Sequence, residues 1–368
     1  MSTLDDTLES VIARFDSRGV RLWGAGFVRS LFEREPHDPS KPLHLYVCVA
    51  DHFEPRWRRP SLDEERRRVT AWVERYPKLA RRHTDSFGKH PVRTLFYPQE
   101  EYRPEHLDAL ASVARDGFFD VEVHLHHDRD SAENLRAQLT DFIRTLHEGH
   151  GLLRRDPATG AITYAFIHGN WALDNALPDG RFCGVDDELS VLVETGCYAD
   201  LTMPCVPSLA QGRVVNTIYY AKGQPGASRG HDQGRAVHVG GRREEGELML
   251  IPGPLGVHLR SRVGGVVPRI EAAMLEPENP VDLGERIRAW VRHAPAVRGA
   301  PNHRFIKLHA HGCNGDAPAW FLTEGGPFDR MLTLLEEAWS DTRRYALHYV
   351  SAREMYETIV RLESGAPS

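Results

Sequence analysis

The sequence predicts an α/β protein built on a parallel sheet, either open or closed into a barrel. Three observations carry that expectation. Strand-type and helix-type segments alternate from about residue 43 to residue 350. Several strand segments are nearly continuous apolar runs, as strands covered on both faces require. Histidines and aspartates recur just past the ends of those runs, where parallel α/β folds keep their working residues.

Taken in order, residues 1–40 read as an N-terminal extension, with a short helix over Leu4–Phe15 and a loop, PHDPSKP. Residues 41–368 read as one domain. His44-Leu-Tyr-Val-Cys-Val-Ala50 is the first strand and stops at Asp51-His52-Phe53-Glu54-Pro55. A helix follows over Ser61–Arg82, with Ser61 as N-cap, Glu64 three residues on, and a stripe of Val69, Trp72, Val73 and Tyr76. The alternation then predicts a strand over Val92–Tyr97, a helix over Pro104–Arg115 and a strand over Asp120–His126. A helix over Ser131–Glu148, a strand over Thr163–His168, a helix over Leu189–Thr195 and a strand over Tyr198–Met203 come next. Strands over Gly246–Ile251, Arg304–His309 and Tyr345–Val350 and helices over Pro280–His293 and Pro327–Ser340 complete the set. Gly223–Arg243, rich in Gly and Arg, reads as an inserted mobile loop.

Composition excludes several classes. The 368 residues are 41% hydrophobic and 27% charged, and the net charge of −6 offers no basic excess for nucleic acid. Arg-rich stretches such as Arg56-Trp-Arg-Arg59 read as solvated helix faces. Five cysteines without a CxxC pair argue against a disulfide framework. No apolar run approaches a membrane span, and the polar, acidic start MSTLDDTLES does not resemble a secretory signal, so a cytoplasmic location is expected. Nothing in the sequence fixes an oligomeric state.

The chemistry concentrates in Val121-Glu-Val-His-Leu-His-His-Asp128. His124 and His126 lie two apart on an extended strand and so share a face, while His127 and Asp128 begin the loop beyond it. Together with Asp51-His52 and His309-Ala-His311, they suit one divalent ion, Zn²⁺ by its liking for imidazole and carboxylate. In His168-Gly-Asn170-Trp171, Gly169 permits a sharp turn and Trp171 offers an aromatic wall to a sugar ring. No P-loop, GxGxxG or GxSxG follows any strand.

The order of these segments, over residues 43–350, resembles the polysaccharide deacetylase superfamily of NodB-type carbohydrate esterases. That resemblance implies an irregular seven-stranded β/α barrel binding one divalent metal. Its strands would begin near His44, Val92, Val121, Thr163, Tyr198, Gly246 and Arg304, as parallel neighbours. Asp51 matches the family's general base, and His52 stands where a second Asp ligates the metal. The family then places two metal-ligating histidines four residues apart. Here the residue four beyond His124 is Asp128, so the ligands stay open among His124, His126, His127 and Asp128. His168-Gly-Asn-Trp171 falls at the family's substrate groove. Gly196-Cys-Tyr198-Ala-Asp200 is similar to a strand ending in Asp, and Gly246–Pro252 to the apolar strand that follows it. Lys307-Leu308-His309 fits the motif whose His is the general acid.

The expectation is a metal-dependent hydrolase, a carbohydrate N-deacetylase acting on an acetylated sugar or glycan precursor. Asp51, His309 and His311 would be catalytic, and His168, Asn170, Trp171 and Asp174 would bind substrate. His52, His124, His126 and His127 would hold the metal. Two alternatives stand beside it: another metal hydrolase of amidohydrolase or phosphoesterase type, and a non-catalytic glycan-binding barrel.

Overall fold

The apolar run from Leu43 to His52 forms the central strand, β1, because both of its faces are covered. The structure is a computed structural model describing residue 13 and residues 16–366, apart from 264, 266, 278, 280 and 340. The helix expected over Leu4–Phe15 thus falls outside the described residues except at Ala13. In chain order the main elements open with α1 (Val20–Phe32), β1, α2 (Leu62–Ala80), β2 (Arg93–Pro98), α3 (Pro104–Arg115), β3 (Phe119–Leu125) and α4 (Ala132–Arg144). Next are β4 (Ile162–His168), α5 (Glu188–Glu194), β5 (Cys197–Asp200), β6 (Tyr219–Lys222), β7 (Arg235–Ala236) and β8 (Glu247–Leu250). The chain then runs through β9 (Gly256–Val263), β10 (Val267–Glu271), α6 (Leu283–His293), β11 (His303–Ala310) and α7 (Ala317–Leu322). It closes with α8 (Pro327–Trp339), β12 (Tyr345–Tyr349) and α9 (Ala352–Glu363).

Seven strands lie side by side and parallel in the order β11–β1–β2–β3–β4–β5–β8, the neighbours expected from the sequence. β12 pairs with the start of β1 and β2 with its end. Among the described residues no ladder joins β8 to β11, so strand pairing does not close the sheet into a ring. The two ends still touch. A Cβ on Gly253, just past β8, would lie 2.4 Å from the Lys307 carbonyl oxygen in β11. Beyond β8 the sheet continues antiparallel through β6 and β7, so residues 223–243 include the short strand β7 and lie against β6.

Side chains alternate between two layers, as the pleat requires. Leu45, Val47 and Val49 of β1 meet Val69 and Trp72 of α2, Leu332 of α8 and the rest of the outer helical layer. Tyr46, Cys48 and Ala50 face the inner layer, with Phe96, Ile167, Met249 and Phe305. Met355, Ile359 and Leu362 of α9 pack into that inner layer. Each fully buried large aliphatic contributes about 1.5–3 kcal/mol relative to exposure.

Candidate metal centre

The same alternation decides which strand-end groups reach the mouth of the sheet. In β1, Asp51 follows Val47 and Val49 outward, whereas His52 follows Cys48 and Ala50 inward. Asp51 is fully buried beneath α2: its carboxylate accepts from Arg93 Nε at 2.6 Å and from the Gly312 amide at 2.6 Å. The Arg93 guanidinium lies 4.5 Å from the Trp72 ring and 4.1 Å from the Phe321 ring. Both oxygens of Asp51, the expected general base, are thus occupied, on the face away from the inward histidines.

His52, Glu54 and His124 form a buried group whose ligand atoms lie within 4.8 Å of one another. Glu54, just past the end of β1, sits at its centre. His124 Nε2 and His126 Nε2 approach Glu54 Oε1 at 3.4 and 3.3 Å, and His311 Nδ1 approaches Oε2 at 3.4 Å. The His52 ring is 4.8 Å from that of His124, 4.6 Å from His311 and 6.4 Å from His309. Two imidazoles are fixed from behind. His124 Nδ1 donates to the Ile167 carbonyl at 2.7 Å, which directs its Nε2 at Glu54, and His126 Nδ1 faces Glu100. Without an ion, burial works against a charged Glu54, yet hydrogen bonds from His124, His126 and His311 hold it well below the usual carboxylate range. Burial likewise opposes charge on His126, but Glu100 and Glu54 push its pKa up to about 10. Burial keeps His52 and His309 neutral, well below the ordinary imidazole range.

The other expected site residues divide into two groups. His309 faces inward, with Lys307 below it, and lines a cavity of about 460 Å³ beside the histidines, together with Trp171, Cys205, Glu271 and Arg286. Its Nδ1 is buried with no hydrogen-bond partner among the described residues. His311 and Trp171 stand at the same mouth, with ring centroids 5.9 Å apart. His127, His168 and Asp174 do not. His127 turns away to Glu188 at 3.1 Å, its ring 4.7 Å from that of His168. Asp174 is buried and accepts from the Leu189 and Gly230 amides. His127, expected as a ligand, and His168 and Asp174, expected as substrate contacts, thus stand apart from the group around Glu54. Asn170 is exposed at the turn, and Asp128 accepts from the Phe182 amide at 2.6 Å. Glu54, a carboxylate two residues past His52, was not among the expected ligands but sits at the centre of this group.

No family model matches the chain, and no curated protein does either. Among solved structures the chain is similar to a "putative polysaccharide deacetylase" from Mycobacterium smegmatis. Identity is 13% and the TM-score 0.46, with 91% of this chain and 96% of that chain covered. A likeness of that degree leaves function to rest on the site's own geometry.

Proposed function

We propose that the protein is a metal-dependent hydrolase centred on His52, Glu54 and His124, and that it removes an N-acetyl group from a sugar or glycan precursor. The observation that carries this reading is a single buried carboxylate ringed by four imidazoles at the carboxyl ends of parallel strands. The residues fit an ion on their chemistry. The donor set is imidazole and carboxylate, and His124 is held in the tautomer that leaves Nε2 free to ligate. His126 and His311 are placed to complete or flank the set. A divalent ion of the zinc type would supply Lewis acidity to the scissile carbonyl.

The chain's own residues supply the rest. His309, neutral and without a partner at Nδ1 among the described residues, accepts the proton of the attacking water and returns it to the leaving nitrogen. Trp171 forms a wall against which a sugar ring stacks, and the cavity behind it takes the remainder of the substrate. Asp51 acts as a positioning residue, anchoring the Gly312 amide beside His311. This reading takes the seven parallel strands as an irregular barrel left unlaced between β8 and β11. It also treats residues 1–40 as an extension, 223–243 as an insertion in a domain spanning 41–368, and the location as cytoplasmic.

The test is acetate release from N-acetylated sugars by metal-replete protein, with bound metal measured alongside. Glu54→Gln should lose metal and turnover together, and His309→Ala should slow turnover by roughly 10²–10⁴-fold with metal retained. Metal-dependent hydrolysis of generic phosphate esters without acetate release would favour the phosphoesterase alternative.

A further inference from the structure

His127, His168, Cys183 and Glu188 converge in a second pocket that shares no residue with the centre around Glu54. We infer that these four residues form a closed structural site for a zinc-type cation. All are buried, and one ligand atom from each lies within 4.8 Å of all the others. They arrive from four places: the turn after β3, the end of β4, the loop before α5, and the first turn of α5. No local helical or hairpin geometry brings them together.

The spacing is close to what coordination requires, and His127 and Cys183 also stand within hydrogen-bond reach of Glu188. His127 Nε2 is 3.1 Å from Glu188 Oε1, His168 Nε2 is 3.6 Å from the same oxygen, and Cys183 Sγ is 3.6 Å from Oε2. Around one ion with bonds of 2.0–2.3 Å, tetrahedral ligand atoms stand roughly 3.3–3.7 Å apart. His168 carries the decisive detail. Its Nδ1 donates to the Gly169 carbonyl, so Nε2 presents a bare lone pair. That nitrogen is fully buried, aims at a carboxylate oxygen, and has no hydrogen-bond partner among the described residues. A lone pair facing a carboxylate is repulsive unless a cation lies between them. Behind His127, Asp130 Oδ2 lies 3.3 Å from Nδ1, a second carboxylate beside the pocket that makes no hydrogen bond to the ring. Two imidazoles, a thiolate and a carboxylate, closed to solvent, make a structural set for zinc. Binding would release the Cys183 thiol proton to solvent.

The site also explains how an irregular segment holds its shape. Between β4 and α5, Asn170, Trp171, Asp174, Asn175, Phe182 and Asp187 all adopt positive φ without being glycine. Such conformations are disfavoured, most of all for Trp171 and Phe182, and persist only where surrounding structure fixes them. Ligands at both ends and in the middle would fix it, and with it Trp171 at the mouth.

The test uses the full chain loaded with Co²⁺ in place of the resident metal. Cys183 is the sole sulfur in this cluster, and the ligand set around Glu54 has none. The unmutated protein should show a near-ultraviolet thiolate-to-cobalt band. That band should vanish in Cys183→Ala and persist in His124→Ala, while each variant binds about one equivalent less metal than the unmutated protein. Cobalt-loaded unmutated protein with no thiolate band would overturn the inference without recourse to any variant. Persistence of the band in Cys183→Ala would overturn it equally. Loss of metal at the Glu54 centre alone would leave the band in place, so failure of the hydrolase reading stays distinguishable.

Discussion

Asp51 and Glu54 stand three residues apart and serve opposite faces of the sheet. Asp51 neutralises Arg93 inside the outer layer, so Asp51→Asn strands a buried guanidinium among aromatic rings. Breaking such a pair typically costs about 3–5 kcal/mol. The expected outcome is a large fall in the urea midpoint, with the molecules that remain folded still binding metal. A catalytic base would give the reverse, an intact midpoint with turnover abolished. Both carboxylates were visible in the sequence, but their faces were not. Strand alternation could place Asp51 opposite His52 only once the strand was known to run as far as His52 without a bulge. Glu54 lies beyond the strand, where periodicity says nothing. His127 escaped for the same reason, since a loop residue next to His126 is free to turn either way.

At the scale of elements, His83 joins the end of α2 to α8. Its Nε2 lies 2.7 Å from Asp329 and its Nδ1 3.1 Å from Glu336, so both ring nitrogens donate in the charged form. Burial opposes that charge, but Glu336 and Asp329 override it and raise the pKa above the ordinary imidazole value. A raised folded-state value gives stability that is fully present below the unfolded value of about 6.5 and fades as pH climbs through the folded one. The stability gap between the unmutated protein and His83→Gln should therefore be widest near pH 6, at about 1.5–3 kcal/mol, and shrink in alkali. Equal gaps at pH 6 and pH 9 in urea unfolding would refute the charged tie.

Most elements were legible because apolar runs and caps mark them: Ser61 caps α2 as expected, and Ser131, where the helix over Ser131–Glu148 was set to begin, caps α4. The helix α1 was not expected. Gly24 and Gly26 lower its intrinsic propensity, and tertiary contact compensates. A Cβ on Gly26 would fall 1.9 Å from the Arg213 carbonyl oxygen, so glycine lets the helix approach that segment closely. The helix α9 was not expected either, although Ser351 and Glu354 spell the capping box that it forms.

Across the whole molecule, parallelism followed from the alternation of strands and helices, and the order of neighbouring strands from the family resemblance. Closure did not follow, since it depends on stagger between the first and last strands, which no single segment encodes. The seam is testable at Gly253. An alanine there meets the Lys307 backbone oxygen, which cannot swing aside like a side chain. Gly253→Ala should cost about 1–3 kcal/mol through overpacking. A variant with an unchanged melting temperature would mean that the two sheet ends are free to part. Metal adds a second handle at this scale: chelation should lower the melting temperature as well as abolish turnover, because ions binding only the folded chain stabilise it by mass action.

The Arg93 enclosure bears on how descent could be traced through this fold. Fully buried between Trp72 and Phe321, that guanidinium requires a carboxylate at position 51 whatever the mouth of the sheet does. A lineage that had abandoned the chemistry would still inherit Asp51, since losing it would threaten folding first. Glu54 carries no such obligation to an arginine. Among descendants of a common ancestor, the aspartate would record ancestry, and the glutamate two residues past His52 would record whether the site was still in use.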